Sequence, residues 1–359
     1  MKIFFSGGGT LGPVTPLLAI YESIRLHDAT ATALWIGTTN GPEKELVEKA
    51  GIRFRTISGG KFRRYMSLWN IVDIVRISMG FFQSLWLLWK EDPDICISAG
   101  GFISVPLHLA AWVVGVPTWV HQQDVRVGLA NKLMAPYATR ITTALEQSII
   151  SFPKRKTLWL GNPIRKELYA GDKKRAYSLF PVSPQLPVVF ATGGGTGSMK
   201  VNQMVTQAAQ HLRGSCSLIH LSGKERPQEL IQPAARQFSA YYFPYPFFTH
   251  EMKDAYAIAD IVISRAGFGT LSEAAALEKV LILIPKPGHQ EENASFLEAH
   301  DAAIVLSEET SDGNHVTQEI KLLLADSDRR KTIAKNLHQL LPPATDERIM
   351  EIVQLLLGD

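Results

Sequence analysis

Residues 4–16 read FFSGGGTLGPVTP. An apolar run enters a glycine-rich turn, and PLLAIYESI continues from it with helical spacing. Strand, glycine turn and helix in that order predict the start of a Rossmann-like unit. The same order returns at residues 188–203, VVFATGGGTGSMKVNQ. Short β-rich runs alternate with helix-like stretches throughout. In the first half they are KIFFSG, ALWIG, FRTI, ICISAG, PTWVHQ, RITTA and TLWLG. In the second they are PVVFATGG, SLIHLSG, AYYFPY, DIVISRAG and VLILIPKP. This alternation predicts an α/β protein of two Rossmann-like domains, each a parallel sheet wrapped by helices, with the cleft between them as the expected ligand site. The break is expected near GNPIRKEL, with domains at 1–162 and 163–342. The last helix, DERIMEIVQLLLG within 343–359, is expected to pack back onto the first domain.

Bulk properties narrow the function classes. The chain has 359 residues, enough for two domains, and its 46% hydrophobic and 20% charged residues are an ordinary globular composition. A net charge of +3 gives no global reason to expect nucleic acid. Cys96 and Cys216 stand far apart in apolar runs, so they read as buried core thiols rather than a disulfide framework or zinc site. Glycine interrupts MKIFF too early for a signal peptide, and a cytoplasmic protein is expected.

Gly7, Gly9 and Gly12 fit the spacing G-x-G-x-x-G. A dinucleotide site also needs an acidic residue at the end of the second strand, to hold a ribose. Here ALWIG ends in Gly37-Thr38-Thr39, while Glu22 and Asp28 fall earlier, so a bound dinucleotide is not expected. The more general property of such loops remains. Glycines let backbone approach a ligand closely, and a helix amino terminus offers unpaired N–H groups and a positive dipole end. In GGGTGS at 193–198, Thr196 and Ser198 add hydroxyl donors suited to a diphosphate.

A third loop, SRAGFGTLSEAAA at 264–276, predicts a helix from about Thr270 with Glu273 in its first turn. Glu273 either compensates the helix dipole or accepts hydrogen bonds from a ribose diol. KPGHQEENA at 286–294 brings His289, Gln290 and Asn293 to another turn after a strand. Polar residues at strand carboxyl ends predict a nucleotide-sugar site in the second domain.

Taken together, the motifs resemble the MurG family in order and over nearly the whole length. GGTLGPVTPLLA is similar to that family's GGTGGHxxPALA, and residues 100–132, from GGFISVP through HQQDVRVGLANK, to its GGYxSxP…HEQNxxxGxxNK. GNPIR matches the interdomain signature, GGGTGSMKVN resembles GGSQGAxxxN, SRAGFGTLSE resembles SRAGAxTxxE, and HQEENA matches HQxxNA. The resemblance implies a GT-B fold and transfer of N-acetylglucosamine from UDP-N-acetylglucosamine to lipid I, making lipid II for peptidoglycan. It implies no cofactor or metal.

Carried over by position, the resemblance implies uracil beside Phe248 and Thr249, the ribose on Glu273, and the phosphates at Phe268, Gly269, Thr270, Leu271 and Ser272 with Gly194, Gly195 and Thr196. Arg165, His289 and Gln290 would help hold the donor, and Asp124 would meet the sugar. Thr10, Leu11 and Gly12 would face the reacting centre, and Gly9, Pro13, Gly100 and Gly101 would lie on the acceptor side. Three positions depart from the family: Pro13 replaces a histidine, HEQN reads His121-Gln122-Gln123-Asp124, and Gly195 replaces a serine. A proline side chain can neither take a proton nor accept a hydrogen bond. His121 and Asp124, both just after PTWV or at its end, are therefore the candidate bases. His121 is equally readable as a structural histidine that orders the loop. Helix-end amides and Arg165 could meet the leaving-group charge without a metal. The DPD at 92–94 reads as a solvated turn.

Lipid I carries a polyprenyl tail, and residues 61–90, KFRRYMSLWNIVDIVRISMGFFQSLWLLWK, offer a membrane face. Trp69, Val72, Val75, Met79, Phe82, Trp86 and Trp89 repeat at helical spacing, with Lys61, Arg63 and Arg64 before them and Lys90 at the end. The uncharged stretch is shorter than the roughly 20 residues a span needs. A helical hairpin lying on an anionic membrane surface is expected, peripheral to the cytoplasmic face of the plasma membrane; a pair of buried core helices is the alternative. Three rival functions share some of these features. They are a UDP-N-acetylglucosamine 2-epimerase, another lipid-linked glycosyltransferase, and a nucleotide-sugar binding subunit without chemistry.

Overall fold

The computed structural model describes residues 1–60 and 69–358, with backbone alone at 69–72. The chain divides into two compact units, Met1–Arg165 with Pro343–Asp359, and Lys166–Pro342. The break thus falls three residues later than Asn162. The segment to Arg165 stays with the first unit because Ile164 is buried and Asn162 bridges to Pro343.

The first unit runs β1 (Lys2–Ser6), α1 (Val14–His27), β2 (Thr32–Gly37), α2 (Glu43–Lys49), β3 (Arg53–Thr56) and α3 (Trp69–Glu91). It continues with β4 (Ile95–Ser98), α4 (Ser104–Val114), β5 (Thr118–Gln122), α5 (Leu129–Met134), β6 (Arg140–Thr143) and β7 (Thr157–Trp159). The described strands form a parallel sheet in the order β3-β2-β1-β4-β5-β6-β7. Covered on both faces, its inner strands read as continuous apolar runs such as KIFFS and TALWIG. Phe5 stacks on Trp35 at 5.8 Å, and Trp35 Nε1 donates to the Gly7 carbonyl at 2.9 Å. A fully buried indole therefore fixes where the first glycine turn begins.

The second unit contains α6 (Lys173–Leu179), β8 (Val188–Thr192), α7 (Met199–Ala209), β9 (Ser217–Leu221), α8 (Gln232–Gln237), β10 (Tyr242–Tyr245) and α9 (Met252–Ile258). It ends with β11 (Ile261–Ser264), α10 (Phe268–Ala276), β12 (Val280–Leu283), α11 (His289–Glu298), β13 (Ile304–Val305), α12 (Gly313–Ala325) and α13 (Ser327–Leu340). Its sheet, again parallel, has the order β10-β9-β8-β11-β12-β13.

The last helix, α14 (Asp346–Leu357), belongs to the first unit. Ile349, Ile352, Val353 and Leu356 recur at helical spacing and enter the core that holds Leu17, Ile20 and Ile24 of α1. Each such burial is worth about 1.5–3 kcal/mol as an upper estimate. Ser23 Oγ donates to Asp346 at 2.7 Å and fixes the register of the two helices.

Helix α3 corrects the expected hairpin. Residues 69–91 are one continuous helix, and Gly80 within it marks close packing instead of a turn. A Cβ on Gly80 would lie 2.0 Å from the Ser58 carbonyl oxygen, and Gln83 Oε1 accepts from Ser58 N at 2.6 Å. Lys61, Arg63 and Arg64 lie outside the described residues, as do the side chains of Trp69 and Val72. Among the described residues no helix is long and apolar enough to cross a membrane.

Candidate functional site

Parallel strands put all their carboxyl-end loops on one edge of a sheet. In each unit the strand order reverses at one place, between β1 and β4 in the first and between β8 and β11 in the second. Ligands of open α/β sheets bind at such switch points. The four loops there are 7–13 and 99–103 in the first unit, and 193–198 and 265–267 in the second. All four are glycine-containing stretches singled out from the sequence.

In the second unit, α10 begins at Phe268, two residues before its expected start, so Glu273 lies beyond the first turn and dipole compensation loses its basis. Glu273 is buried, and its carboxylate accepts from Tyr256 Oη at 3.2 Å. Gly267 caps the helix and supplies no side-chain hydrogen bond, so the first-turn amides of Phe268, Gly269 and Thr270 are left for a ligand or water. Leu271 and Ser272 are buried, and Ser272 Oγ donates back to the Phe268 carbonyl at 2.9 Å. Gln290 reaches the same place: its Nε2 is 3.9 Å from where a Gly267 Cβ would stand, while Oε1 accepts from Lys286 N at 3.0 Å. His289 is exposed at the start of α11. Asn293, expected to face a ligand, is buried and donates to the Ala266 carbonyl at 3.2 Å, so it holds the loop.

The loop after β8 leaves Gly195 and Thr196 exposed and Gly194 half-buried with φ +81°. Ser198 is not the expected phosphate donor; its Oγ caps α7 by accepting from Val201 N at 3.3 Å. Arg226 Nε donates to the Thr196 carbonyl at 3.1 Å and ties this loop to the one after β9. Phe248 is a core side chain, 5.5 Å from Phe180 and 6.0 Å from Phe190 between ring centres. Thr249 is exposed, and its N–H donates to Glu251 Oε2 at 2.6 Å. Tyr256 and Glu251 were not foreseen, because neither sits in a glycine loop; only the fold brings Tyr256, 17 positions away, to Glu273.

In the first unit, Gly8 and Gly101 are in backbone contact: a Cβ on Gly101 would lie 3.2 Å from the Gly8 carbonyl oxygen. Gly9, Gly100 and Gly101 all hold φ between 82° and 101°, the region glycine favours. Thr10 and Gly12 are exposed and Leu11 half-buried, and Pro13 is the amino cap of α1 with no side-chain bond. Gln123 Nε2 donates to the Gly12 carbonyl at 3.3 Å, bringing the HQQD segment to this loop. Asp124 is half-buried, and its carbonyl accepts from Gln122 Nε2 at 2.7 Å.

His121 takes the structural role. It is fully buried, Nδ1 lies 2.9 Å from Thr142 Oγ1, and Nε2 lies 2.9 Å from Asn162 Oδ1. Burial lowers its pKa to about 4, partly opposed by the Asn162 bond. With both nitrogens engaged and no solvent contact, it has no lone pair for a substrate proton, and it is withdrawn as a base. Arg165 is half-buried at the end of this unit. Asp94 of the DPD turn accepts from Lys2 N at 2.6 Å, which secures the start of β1.

Helix α3 buries Ser84, Leu87 and Leu88 and exposes Val75, Met79, Phe82, Trp86 and Trp89 along one stripe. Trp89 is 82% exposed and Phe82 67%, well beyond a stray surface residue. Lys90 Nζ lies 4.8 Å from the centre of the Trp86 ring. At the end of α4, Trp112, Val113 and Val114 are also exposed.

Residues 3–143 match the glycosyltransferase family 28 N-terminal domain, and residues 188–346 match the C-terminal domain of the same family. Two Rossmann-like domains with these matches define a glycosyltransferase of the GT-B class. A Lachnospira eligens protein named UDP-N-acetylglucosamine–N-acetylmuramyl-(pentapeptide) pyrophosphoryl-undecaprenol N-acetylglucosamine transferase is 36% identical over 330 residues, 90% of this chain and 91% of that protein. The chain belongs to that family, the MurG family. The crystal structure of Acinetobacter baumannii MurG superposes with a TM-score of 0.74 at 22% identity, covering 98% of this chain and 99% of that one. A Neisseria meningitidis UDP-GlcNAc 2-epimerase bound to UDP-GlcNAc shares the fold, with a TM-score of 0.70 at 15% identity over the full length of both chains.

Proposed function

We infer that the protein transfers N-acetylglucosamine from UDP-N-acetylglucosamine to lipid I, forming lipid II for peptidoglycan synthesis. The observation that carries this reading is the 36% identity over 90% of the chain to a relative named for that reaction. The uncapped start of α10 beside Glu273 and Gln290 supports it, because a nucleoside diphosphate needs an anion site next to a diol acceptor.

Each group then has a role. Glu273 accepts from the ribose hydroxyls, held for that task by Tyr256. The amides of Phe268, Gly269 and Thr270, with those of Gly194, Gly195 and Thr196, meet the diphosphate. Phe248 and Thr249 line the uracil with backbone, which requires Glu251 to release the Thr249 amide. Arg165, His289 and Gln290 hold the remaining donor groups. The acceptor hydroxyl attacks the anomeric carbon as the bond from that carbon to the phosphate oxygen breaks, inverting its configuration. Asp124 takes the hydroxyl proton, and the charge growing on UDP is met by helix-end amides and Arg165. Thr10, Leu11 and Gly12 border the reacting centre, and Gly9, Pro13, Gly100 and Gly101 belong to the acceptor side. The exposed stripe of α3 lies on an anionic bilayer at the cytoplasmic face, where the acceptor's lipid tail is anchored.

A second reading, another lipid-linked acceptor, is favoured by Pro13, which stands where the family motif has histidine. The purified protein should be given UDP-N-acetylglucosamine and a short-chain lipid I analogue while UDP and glycolipid are followed together. UDP release that depends on the analogue supports the first reading. Release only with a different lipid supports the second, and an epimerised donor without acceptor overturns both.

A further inference from the structure

We propose that Glu43 is the positioning residue of the first glycine loop, a role that rests on the transfer reaction inferred above. Glu43 opens α2, just past the end of β2, and its residue is 0% exposed. Three donors converge on its carboxylate. Thr38 N donates to Oε1 at 2.7 Å, Thr38 Oγ1 to the same oxygen at 2.5 Å, and Gly9 N to Oε2 at 3.2 Å. A buried carboxylate met by several N–H and O–H donors is a strong local tie.

The surrounding backbone is cut to fit it. A Cβ on Gly8 would lie 2.2 Å from Glu43 Oε1, and one on Gly41 would lie 1.9 Å from Oε2. Only glycine leaves room for the carboxylate at those two places. In a dinucleotide-binding unit the acidic residue near the end of the second strand reaches outward to a ribose. Here the acidic residue comes six positions after Gly37 and turns inward, spending its acceptors on the glycine loop itself.

The consequence is mechanical. Trp35 fixes the loop at the Gly7 carbonyl and Glu43 fixes it at the Gly9 amide, two residues apart. Thr10, Leu11 and Gly12 follow directly, so their backbone is aimed by a side chain that touches no substrate. Small displacements at a reacting centre can cost a large share of rate.

Glu43→Gln keeps the size of the side chain and turns an N–H donor toward amides that need an acceptor. It should lower kcat for transfer to the lipid I analogue by roughly tenfold or more. UDP affinity by calorimetry should stay within about twofold, because Glu273 and the amides proposed for the diphosphate lie on the other unit, and hydrogen exchange at the Gly9 amide should quicken about tenfold while Ile3–Phe5 stay protected. Wild-type kcat together with wild-type exchange at Gly9 would overturn the proposal. Should Glu43→Gln fail to fold, Thr38→Val removes one donor and should give the same pattern in milder form; unchanged kcat and exchange there would overturn it equally. If the unmodified protein shows no transfer to lipid I, the functional reading fails, and the exchange measurement alone decides the role of Glu43.

Discussion

His121 on β5 and Asn162 in the GNPIR segment are joined across the first unit, Nε2 to Oδ1 at 2.9 Å, with both residues buried. Thr142 completes the set, accepting from Trp119 Nε1 at 2.7 Å and facing His121 Nδ1 at 2.9 Å. The pattern is satisfied by a neutral imidazole that donates through Nε2 and accepts through Nδ1. The second unit carries a parallel arrangement, in which His220 meets Asn202 Oδ1 at 3.1 Å and Tyr242 Oη at 2.7 Å.

These histidines should make the fold less stable in acid. Burial lowers the pKa of His108 and of His220 to about 3 and that of His121 to about 4, against 6.5 for the free group. Between pH 6.5 and those values the unfolded chain binds more protons than the native one, so stability falls as pH falls and is fully present above pH 6.5. The urea midpoint should drop steadily from pH 7 to pH 5, and His220→Asn should flatten part of that slope in a variant that folds. A midpoint flat over this range would contradict the buried neutral histidines.

Asp124 and His121 separate in kinetics. Asp124→Asn should lower kcat by about 10²–10⁴ with the melting temperature little changed, as expected for loss of a general base. His121→Gln should lower the melting temperature while leaving the pH dependence of kcat in place. A shifted pH profile in the His121 variant, with normal turnover in Asp124→Asn, would reverse the assignment.

The ribose role proposed for Glu273 is tested by UDP binding. Glu273→Gln should weaken UDP binding about 10- to 100-fold, the value of charge-assisted hydrogen bonds worth about 1.5–3 kcal/mol. Tyr256→Phe should weaken it far less, since the carboxylate remains. Calorimetry with UDP reads both, and equal affinity in Glu273→Gln would remove the carboxylate from the ribose.

The membrane role proposed for the exposed stripe of α3 is tested with vesicles. Replacing Phe82, Trp86 and Trp89 together by serine should abolish sedimentation with phosphatidylglycerol vesicles, since each aromatic gives up about 1.5–3 kcal/mol when fully buried. Turnover of a water-soluble acceptor analogue should stay unchanged. Undiminished vesicle binding would place the membrane face elsewhere.

Much of this was legible in the chain. The long apolar strands announced both sheets, and the glycine loops marked both switch points. Ile304–Val305 escaped because a two-residue strand carries no periodicity. The expected hairpin is a single helix, α3, in which the missing side chain of Gly80 lets the Ser58 carbonyl approach, a contact that only the folded state shows. Ser198 and Asn293 looked like ligand groups because capping and loop-holding use the same polar side chains as binding. Glu43 stayed hidden for the opposite reason, since its bond to Gly9 spans 34 positions and its fit depends on space left by Gly8 and Gly41.

The most direct measurement uses UDP-N-acetylglucosamine labelled with ¹³C at the anomeric carbon, incubated with lipid I and followed by NMR and mass spectrometry. The label should appear in a lipid-linked disaccharide, one N-acetylhexosamine heavier than lipid I, with inverted anomeric configuration and one UDP released per product. Label that stays on the nucleotide, enters an epimerised sugar, or joins lipid I with retained configuration would contradict the account.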